Sequence, residues 1–557
     1  MIKVHHVIAA ILMLVLPAGN TFSQQQIRHL FSVLGGTDHP GEEGEPLKCG
    51  LPITSHALAG KFALGAEQKL ALQILMTRPS MQKMRASGAF RVHYDTTGYN
   101  APALLNAAHQ RDTTSVEAYV DSVLSIAAYS FSYETETLGY AAPPSDGGLG
   151  GGPEYDIYVM ELSNLYGDTT PDADVSEGGR CTSFIRVDND FIFVTPDSNK
   201  GLPALRVTLA HELHHLIQLG SYGYWFNDVY YYEMTSTWLE DVVYTGVNDY
   251  YNYLFRSWSH FRNPQMLFAS GANIIMYSRG IWGQFTAKQF GLLTMRRSWE
   301  NIAANRPLPA IDLALKESGS NLPDAFAEWT AWNHFTGYRA DALKYYPEGA
   351  AYPLMVENPI GLSASIRDIP DSLSPLAARY YQVPGSNDTV TIAVVNVNVA
   401  QAMAGWESTT PYTLSLTLGA HDGTYTDAGS GVYAKLKVSD LTVWRMWFIV
   451  GGNVGPGLGV RLEEGRPFPH PYVADGRSVV RIPLSVSEEA VGRLQIYSAG
   501  MDLVRTMAVR SLLVLGRQTI EWDGRVESGA VASTGVYLFV LELPDRTLTG
   551  KIALVRR

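Results

Sequence analysis

Near the middle of this 557-residue chain, His211-Glu212-Leu213-His214-His215 lies in an otherwise apolar stretch that Pro203 opens and Gly220 closes. Proline suits the first turn of a helix and glycine its end, so the spacing predicts a helix over 204–219. On such a helix His211 and His215 stand at i and i+4, with both imidazoles on one face. Two nitrogens so placed suit a tetrahedral Zn²⁺, and Glu212 falls beside the metal. The bland alternative is a pair of histidines in the core or on the surface of an amphipathic helix. A third ligand separates the two readings.

Downstream runs Trp225-Phe226-Asn227-Asp228-Val229-Tyr230-Tyr231-Tyr232-Glu233-Met234-Thr235-Ser236-Thr237-Trp238-Leu239-Glu240. Asn227 or Asp228 can cap a helix that carries Glu233, Thr237 and Glu240 on one face. Together with HELHH, this block resembles the gluzincin metallopeptidases. The match is closest locally to the aminopeptidase N branch, whose W-x-N-D-x-x-x-x-E-x-x-x-T-W-x-E it follows with one residue fewer after His215. The resemblance implies one catalytic Zn²⁺ held by His211, His215 and Glu233, with Glu240 as the acceptor that orients a ligand histidine. It makes Glu212 the general base for a zinc-activated water. Met276-Tyr277-Ser278-Arg279-Gly280 is similar to the Y-x-K-G segment of the same branch, where the tyrosine faces the zinc and hydrogen-bonds the developing oxyanion. His214 has the wrong offset for a paired role and reads as structural.

The branch's G-x-M-E-N element, which holds a free amine, has no counterpart in Arg180–Leu205. The expectation is therefore an endopeptidase acting on a protein or peptide substrate. Ser183–Val187 is expected as the edge strand that pairs with an extended peptide. Phe90–Tyr94, Tyr155–Val159 and the two zinc segments also look like a group of secreted bacterial metalloproteases over about residues 88–340. The function of a second class is a surface adhesin or binding protein on a degenerate gluzincin scaffold.

The expected organisation is α+β and multidomain. Lys3, His5 and His6 precede an apolar run, Val7–Leu16, ended by Pro17. Residues 1–23 thus read as a secretory signal, too short to span a bilayer stably, which predicts export to the medium or the bacterial surface. Residues 24–87 form an N-terminal segment and candidate propeptide, with a helix at Ala66–Met76. Residues 88–345 are expected as a zincin-like domain, a mixed sheet plus a mainly helical lobe. Its predicted strands are Phe90–Tyr94, Tyr155–Leu162, and Ser183–Val187 with Phe191–Val194 about an Asp188-Asn189-Asp190 turn; helical periodicity covers 114–128 and most of 203–340. Residues 346–466 read as a β-sandwich domain. Past the Pro/aromatic linker Pro467–Tyr472, residues 467–557 read as a small Ig-like β-sandwich. There, Leu494-Gln495-Ile496-Tyr497, Trp522-Asp523-Gly524-Arg525, Ser533-Thr534-Gly535-Val536-Tyr537 and Lys551-Ile552-Ala553-Leu554 resemble type IX secretion sorting domains and the flagellar-hook-cap Ig-like fold. That resemblance implies an address recognised by export machinery, or an accessory domain that stays on the mature protein.

Composition excludes some alternatives. With 17% charged and 46% hydrophobic residues the chain is no disordered acidic tail, and 42 Lys plus Arg against 54 Asp plus Glu give no basic footprint for nucleic acid. Two cysteines exclude a disulfide scaffold or a Cys-rich zinc module. Cys49 and Cys181 are read as one disulfide tying the N-terminal segment to the catalytic unit. In the other reading Lys48-Cys49-Gly50-Leu51-Pro52 is similar to the K-C-G-x-P zymogen motif of matrix metalloproteases, although Ile53 stands where that family has an acid. The resemblance implies a thiolate in the open zinc position. Asp168, Asp172 and Asp174 are read as a Ca²⁺ site or as solvated turns.

Overall fold

The computed structural model describes residues 46–61, 63–173, 175–271, 274–359, 376–384, 390–395, 413–420, 425–431, 433–438, 445–453, 472–474, 479–486, 490–513, 516–543 and 546–556. The signal 1–23, linker residues 467–471 and Asp174 lie outside them. The chain divides into two compact units between Gly455 and Pro456. Among the described residues no helix is long and apolar enough to cross a membrane.

The first unit opens with β1 (Leu47–Cys49), α1 (Leu51–Ala59), α2 (Ala66–Leu75), β2 (Lys83–Ser87) and β3 (Phe90–Tyr94). A short pair, β4 (Leu104–Leu105) and β5 (Arg111–Asp112), precedes α3 (Val116–Ser132), followed by β6 (Tyr155–Val159), β7 (Leu165–Pro171) and β8 (Ser183–Val187). Six of these strands form one mixed sheet in the order β1-β7-β8-β6-β3-β2. Strands β3, β6 and β8 are parallel, β7 runs antiparallel to β8, and β1 runs parallel to β7. Both edge strands therefore come from the N-terminal segment.

Period-2 alternation turns Phe90, Val92 and Tyr94 with Ile157, Val159, Ile185 and Val187 into one core. Against it pack Tyr119, Val120 and Val123 of α3 and Leu205, Leu209, Leu213 and Leu216 of α4 (Leu202–Ile217). That stripe fixes the roll of α4. His211 and His215, on the far side of the same helix, then face α5 (Val229–Val243). The helical lobe continues through α6 (Tyr251–Leu254), α7 (Ile275–Ser278), α8 (Ile281–Phe290), α9 (Leu292–Ile302), α10 (Pro307–Glu317) and α11 (Leu322–His334). Its interior is aromatic: Trp282, Trp299, Trp329 and Trp332 are fully buried.

Next come β9 (Asn358–Pro359), β10 (Ala377–Pro384), β11 (Val390–Val395), β12 (Thr413–Ala420), β13 (Tyr425–Gly431), β14 (Tyr433–Val438) and β15 (Arg445–Asn453). They make a sheet of order β13-β12-β15-β10-β9 and a separate β11-β14 pair, antiparallel throughout except where β9 meets β10. The second unit holds β16 (Tyr472–Ala474), β17 (Val480–Val486), β18 (Ala490–Ser498), β19 (Leu503–Leu513), β20 (Gly516–Trp522), β21 (Gly535–Glu542) and β22 (Thr547–Arg556). A sheet of order β16-β22-β21-β18-β19 and the β17-β20 pair contribute to a single core. Alternate residues meet there: Val480 and Ile482, Leu494 and Ile496, Ile520 and Trp522, Phe539 and Leu541, Ile552 and Leu554.

Three local expectations are corrected. Ser183–Val187 is no edge strand, because β7 and β6 pair with it on both sides. Phe191–Val194 is a turn, because the Asp188 carboxylate accepts the backbone N–H groups of Leu162, Asp190 and Phe191 at 3.1, 3.1 and 2.7 Å and curls the chain. Helix α4, which carries His211-Glu212-Leu213-His214-His215, does not stop at Gly220. It runs into a π-turn over Gln218–Tyr222 and ends at Gly223, whose φ of +113° suits glycine.

Candidate metal centre

Helix α4 brings His211 and His215 together and α5 places Glu233 opposite them. His211 Nε2 lies 3.0 Å from His215 Nε2 and 3.2 Å from Glu233 Oε2, and His215 Nε2 lies 3.3 Å from Glu233 Oε1. Bonds of about 2.0–2.1 Å at tetrahedral angles give ligand–ligand edges of about 3.3 Å, so the three groups fit a zinc ion. The buried Glu212 Oε1 has no hydrogen-bond partner among the described residues, and Glu233 Oε1 makes no hydrogen bond beside its histidine. Such orphaned oxygens are costly unless a cation or water meets them. The donor set, two imidazoles and a carboxylate, suits zinc and leaves a fourth position. The chain thus holds a gluzincin-like metal site.

The surrounding bonds orient the ligands. His211 Nδ1 is 2.8 Å from Glu240 Oε1, which leaves Nε2 for the metal. His215 Nδ1 is 2.7 Å from Gln218 Oε1 and 3.2 Å from Ser236 Oγ, with the same consequence. Without metal, burial works against a charge on His211, but hydrogen bonds to Glu233 and Glu240 raise it to about 9. Burial likewise opposes charge on Glu233, yet His215 and His211 hold it down at about 2. Glu212 is pushed up to about 7, chiefly by burial, with His211 and His215 pulling the other way.

Glu212 is itself positioned by β7. Thr169 Oγ1 lies 2.8 Å from Glu212 Oε2, and Gly167 faces its side chain so closely that a Cβ there would sit 3.2 Å from Glu212 Cγ. Tyr277 is buried on α7 with its ring 6.4 Å from that of His211; burial, then the Glu233 charge, pushes its hydroxyl well above its ordinary value. His214 points away, its Nδ1 3.0 Å from Glu134 Oε2 and its ring edge-on to Tyr140. Burial holds both His214 and Glu134 toward their neutral forms, which makes this a core hydrogen bond.

Asp228 takes the residue position before α5, but its carboxylate is held by Arg306, at 2.6 Å from Oδ1, and does not cap the helix. Asp168 and Asp172 are each engaged by an arginine: Arg186 at 2.8 Å and Arg78 at 2.7 Å.

The expected Cys49–Cys181 disulfide is not formed; both thiols are free. Pairing of β1 with β7 carries Cys49 to the metal cluster, whereas Cys181 stands at the approach to β8, its N–H bonded to Leu219 O. Cys49 Sγ lies 3.7 Å from Glu212 Oε2, and one ligand atom each of Cys49, His211, His215 and Glu233 fall within 4.8 Å of one another. Sequence reasoning also missed Lys48, buried with its Nζ 2.8 Å from Glu240 Oε2 and 3.0 Å from Asp249 Oδ2. It missed Thr169 and Gln218 as well. Of these only Gln218 had a local signal, its i+3 offset from His215.

No family model and no curated protein matches the chain. Among solved structures, 20% of the chain is similar to 14% of PorZ, an essential bacterial surface component of the type IX secretion system of Porphyromonas gingivalis, at 19% identity and a TM-score of 0.13. A further 12%-identical match joins 30% of the chain to 18% of latent PorU from the same organism, with a TM-score of 0.15. Another, also at 12% identity, joins 30% to 26% of a Bacteroides uniformis β-glucuronidase, with a TM-score of 0.14. The chain spans less than a fifth of PorZ and PorU, and overlaps of this size and score assign neither fold nor function.

Proposed function

We propose that the protein is an exported bacterial zinc endopeptidase. Near-tetrahedral edges of 3.0, 3.2 and 3.3 Å among His211, His215 and Glu233, with Glu212 alongside, carry this reading. Bound zinc supplies a Lewis acid that lowers a water's pKa toward about 7 and polarises the scissile carbonyl. Glu212 accepts the attacking water's proton and delivers it to the leaving amine, with its Oε1 left unpartnered beside the ligands for that exchange. Thr169 steadies that carboxylate. Tyr277, kept protonated by burial, donates to the oxyanion. Glu240 and Gln218 hold the imidazoles in the ligating tautomer. The endopeptidase reading rests on the sequence's aminopeptidase N-like block, which lacks that branch's amine-binding element. Residues 1–23 serve export, and residues 467–557 serve as the address read by the type IX export machinery.

The test is zinc stoichiometry in the wild type and Glu212→Gln, with casein hydrolysis assayed before and after brief trypsin treatment. Zinc in both proteins and cleavage in the wild type alone is the expected result, and it excludes the adhesin reading. A wild type without stoichiometric zinc, or an equally active variant, overturns the assignment.

A further inference from the structure

The ligand residues are closed off: His211, Glu212, His215 and Glu233 are 0% exposed. A protease must admit a polypeptide to that point. The segment of β1 and α1 packs onto the cluster: Cys49 lies within it, and α1 contacts both α5 and β7. Strand β1 adds to the free side of β7, with Leu47 and Cys49 in register with Leu165 and Gly167, the Leu47 N–H 2.7 Å from Asn164 O and the Gly50 N–H 3.1 Å from Gly167 O. Strand β7 is the one that positions Glu212. Its free side is where an extended peptide would add to the sheet beside the metal, and β1 occupies it.

At the end of β1, Cys49 Sγ enters the same cluster as the three ligands. It also accepts the Leu51 N–H at 3.3 Å, which holds the sulfur at this place beside the ligands. A site of two nitrogens, one oxygen and one sulfur has edges of about 3.3–3.6 Å, so a shift of about 1 Å completes it. The segment is clamped by the ion pairs of Lys48 with Glu240 and Asp249, and by a 2.7 Å hydrogen bond between Ser55 Oγ and Tyr224 OH.

From this geometry we propose that residues 46–59 are a built-in latch, in which Cys49 is the fourth zinc ligand and β1 blocks the substrate edge of β7. The inference rests on the zinc hydrolase reading and adds its regulation. On closing, the Cys49 thiol gives its proton to solvent and its sulfur takes the coordination position of the water. On release the thiolate regains a proton from solvent and water re-enters; no oxidant or reductant takes part. Removal of the segment by proteolysis frees the metal and the β7 edge together.

The test uses the full chain loaded with Co²⁺ for spectroscopy and with Zn²⁺ for hydrolysis, comparing wild type, Cys49→Ala and the near-isosteric Cys49→Ser. The latch predicts a thiolate-to-cobalt charge-transfer band in the near ultraviolet for the wild type and its loss in both variants. It also predicts that untreated Cys49→Ala cleaves casein at least about tenfold faster than the untreated wild type, since the metal–sulfur bond is what holds the three-residue β1 on β7 and a tethered ligand acts at high effective concentration. Co²⁺ binding to the wild type without that band overturns the latch and leaves the hydrolase reading standing. Band loss without any gain in hydrolysis by either variant also overturns it, and makes Cys49 a permanent structural ligand. Failure of all three proteins to bind Co²⁺ or Zn²⁺ overturns the metal reading itself. The wild-type spectrum is informative even if a variant fails to fold.

Discussion

Glu240→Gln isolates what an indirect carboxylate contributes to this metal centre. Glu240 is 1% exposed; Oε1 accepts from His211 Nδ1 at 2.8 Å and Oε2 meets Lys48 Nζ at 2.8 Å. Glutamine preserves an acceptor for one neighbour only. If its carbonyl faces His211, its NH₂ faces the Lys48 ammonium, donor against donor at a distance that requires movement. The loss therefore belongs at the upper end of the 10–100-fold typical of such partners, about 2.7 kcal/mol of zinc affinity.

The pH dependence supplies a second readout. In the metal-free protein His211 is raised to about 9, so zinc must displace its proton below that pH; this proton alone makes affinity climb about tenfold per unit from pH 7 to 9, and the Cys49 thiol's proton steepens the climb while the latch is closed. Removing the Glu240 charge lowers the proton affinity of His211 too, so the variant reaches its plateau at lower pH. Competition against a chromophoric chelator should then show the full deficit at pH 9 and a smaller one at pH 7. Lys48→Met/Glu240→Gln, which removes the facing donors, should recover part of it, while Glu67→Gln on the exposed face of α2 should change nothing. Zinc affinity within about twofold of the wild type at pH 9 would refute the orienting role.

Three further outcomes are expected. Gly167→Ala places a Cβ 2.8 Å from Arg186 O and 2.9 Å from Thr208 Cγ2, so thermal unfolding should show a loss of about 1–3 kcal/mol and hydrolysis should fall as Glu212 is displaced. Thr169→Val removes the 2.8 Å hydrogen bond to Glu212 and should lower kcat by about tenfold with zinc content unchanged; an unaltered kcat would remove Thr169 from the mechanism. Glu357 is held at about 2, against the effect of burial, by His334 and Arg339. Its folded value lies below its unfolded one, so its contribution of up to about 3 kcal/mol is present above about pH 4.5 and fades as pH falls toward 2. The melting-temperature gap between wild type and Glu357→Gln should therefore close across that window.

The site was legible where its logic is local. His211, Glu212 and His215 follow from helical spacing; spacing puts Glu233 and Glu240 on a common helix face, and the resemblance to the gluzincin block implied their roles. Strand β7 was not legible. Leu-Tyr-Gly-Asp-Thr-Thr-Pro carries three residue types that disfavour strands, and only the register that sets Asp168 opposite Arg186, with bonds of 2.8 and 2.5 Å, neutralises the buried charge. The contacts of Lys48 and Cys49 span 201 and 163 residues, beyond any periodicity. The strands at 390–395, 413–420, 433–438, 480–486, 516–522 and 535–542 fall on stretches whose β-branched residues or period-2 alternation can be read directly from the sequence.

The N-terminal segment, read from sequence as one candidate propeptide ending at residue 87, has two halves with opposite dependencies. Strand β2 is hydrogen-bonded along its length to β3, from Lys83 opposite Tyr94 to Ser87 opposite Phe90. Just before it, Arg78 is held by Asp146, Asp156 and Asp172. Removing that half would expose the β3 edge and strand three carboxylates, at several kcal/mol. Strand β1 and α1 end at Ala59, before exposed Ala63 and Gly65, and β1 pairs only with β7. A cut that opens the metal while leaving the sheet intact therefore falls after Ala59 and before Arg78. Mass spectrometry of the active protein should place its N-terminus in that window. An active form that retains Cys49, or one that begins beyond Ser87, would contradict this division of the segment.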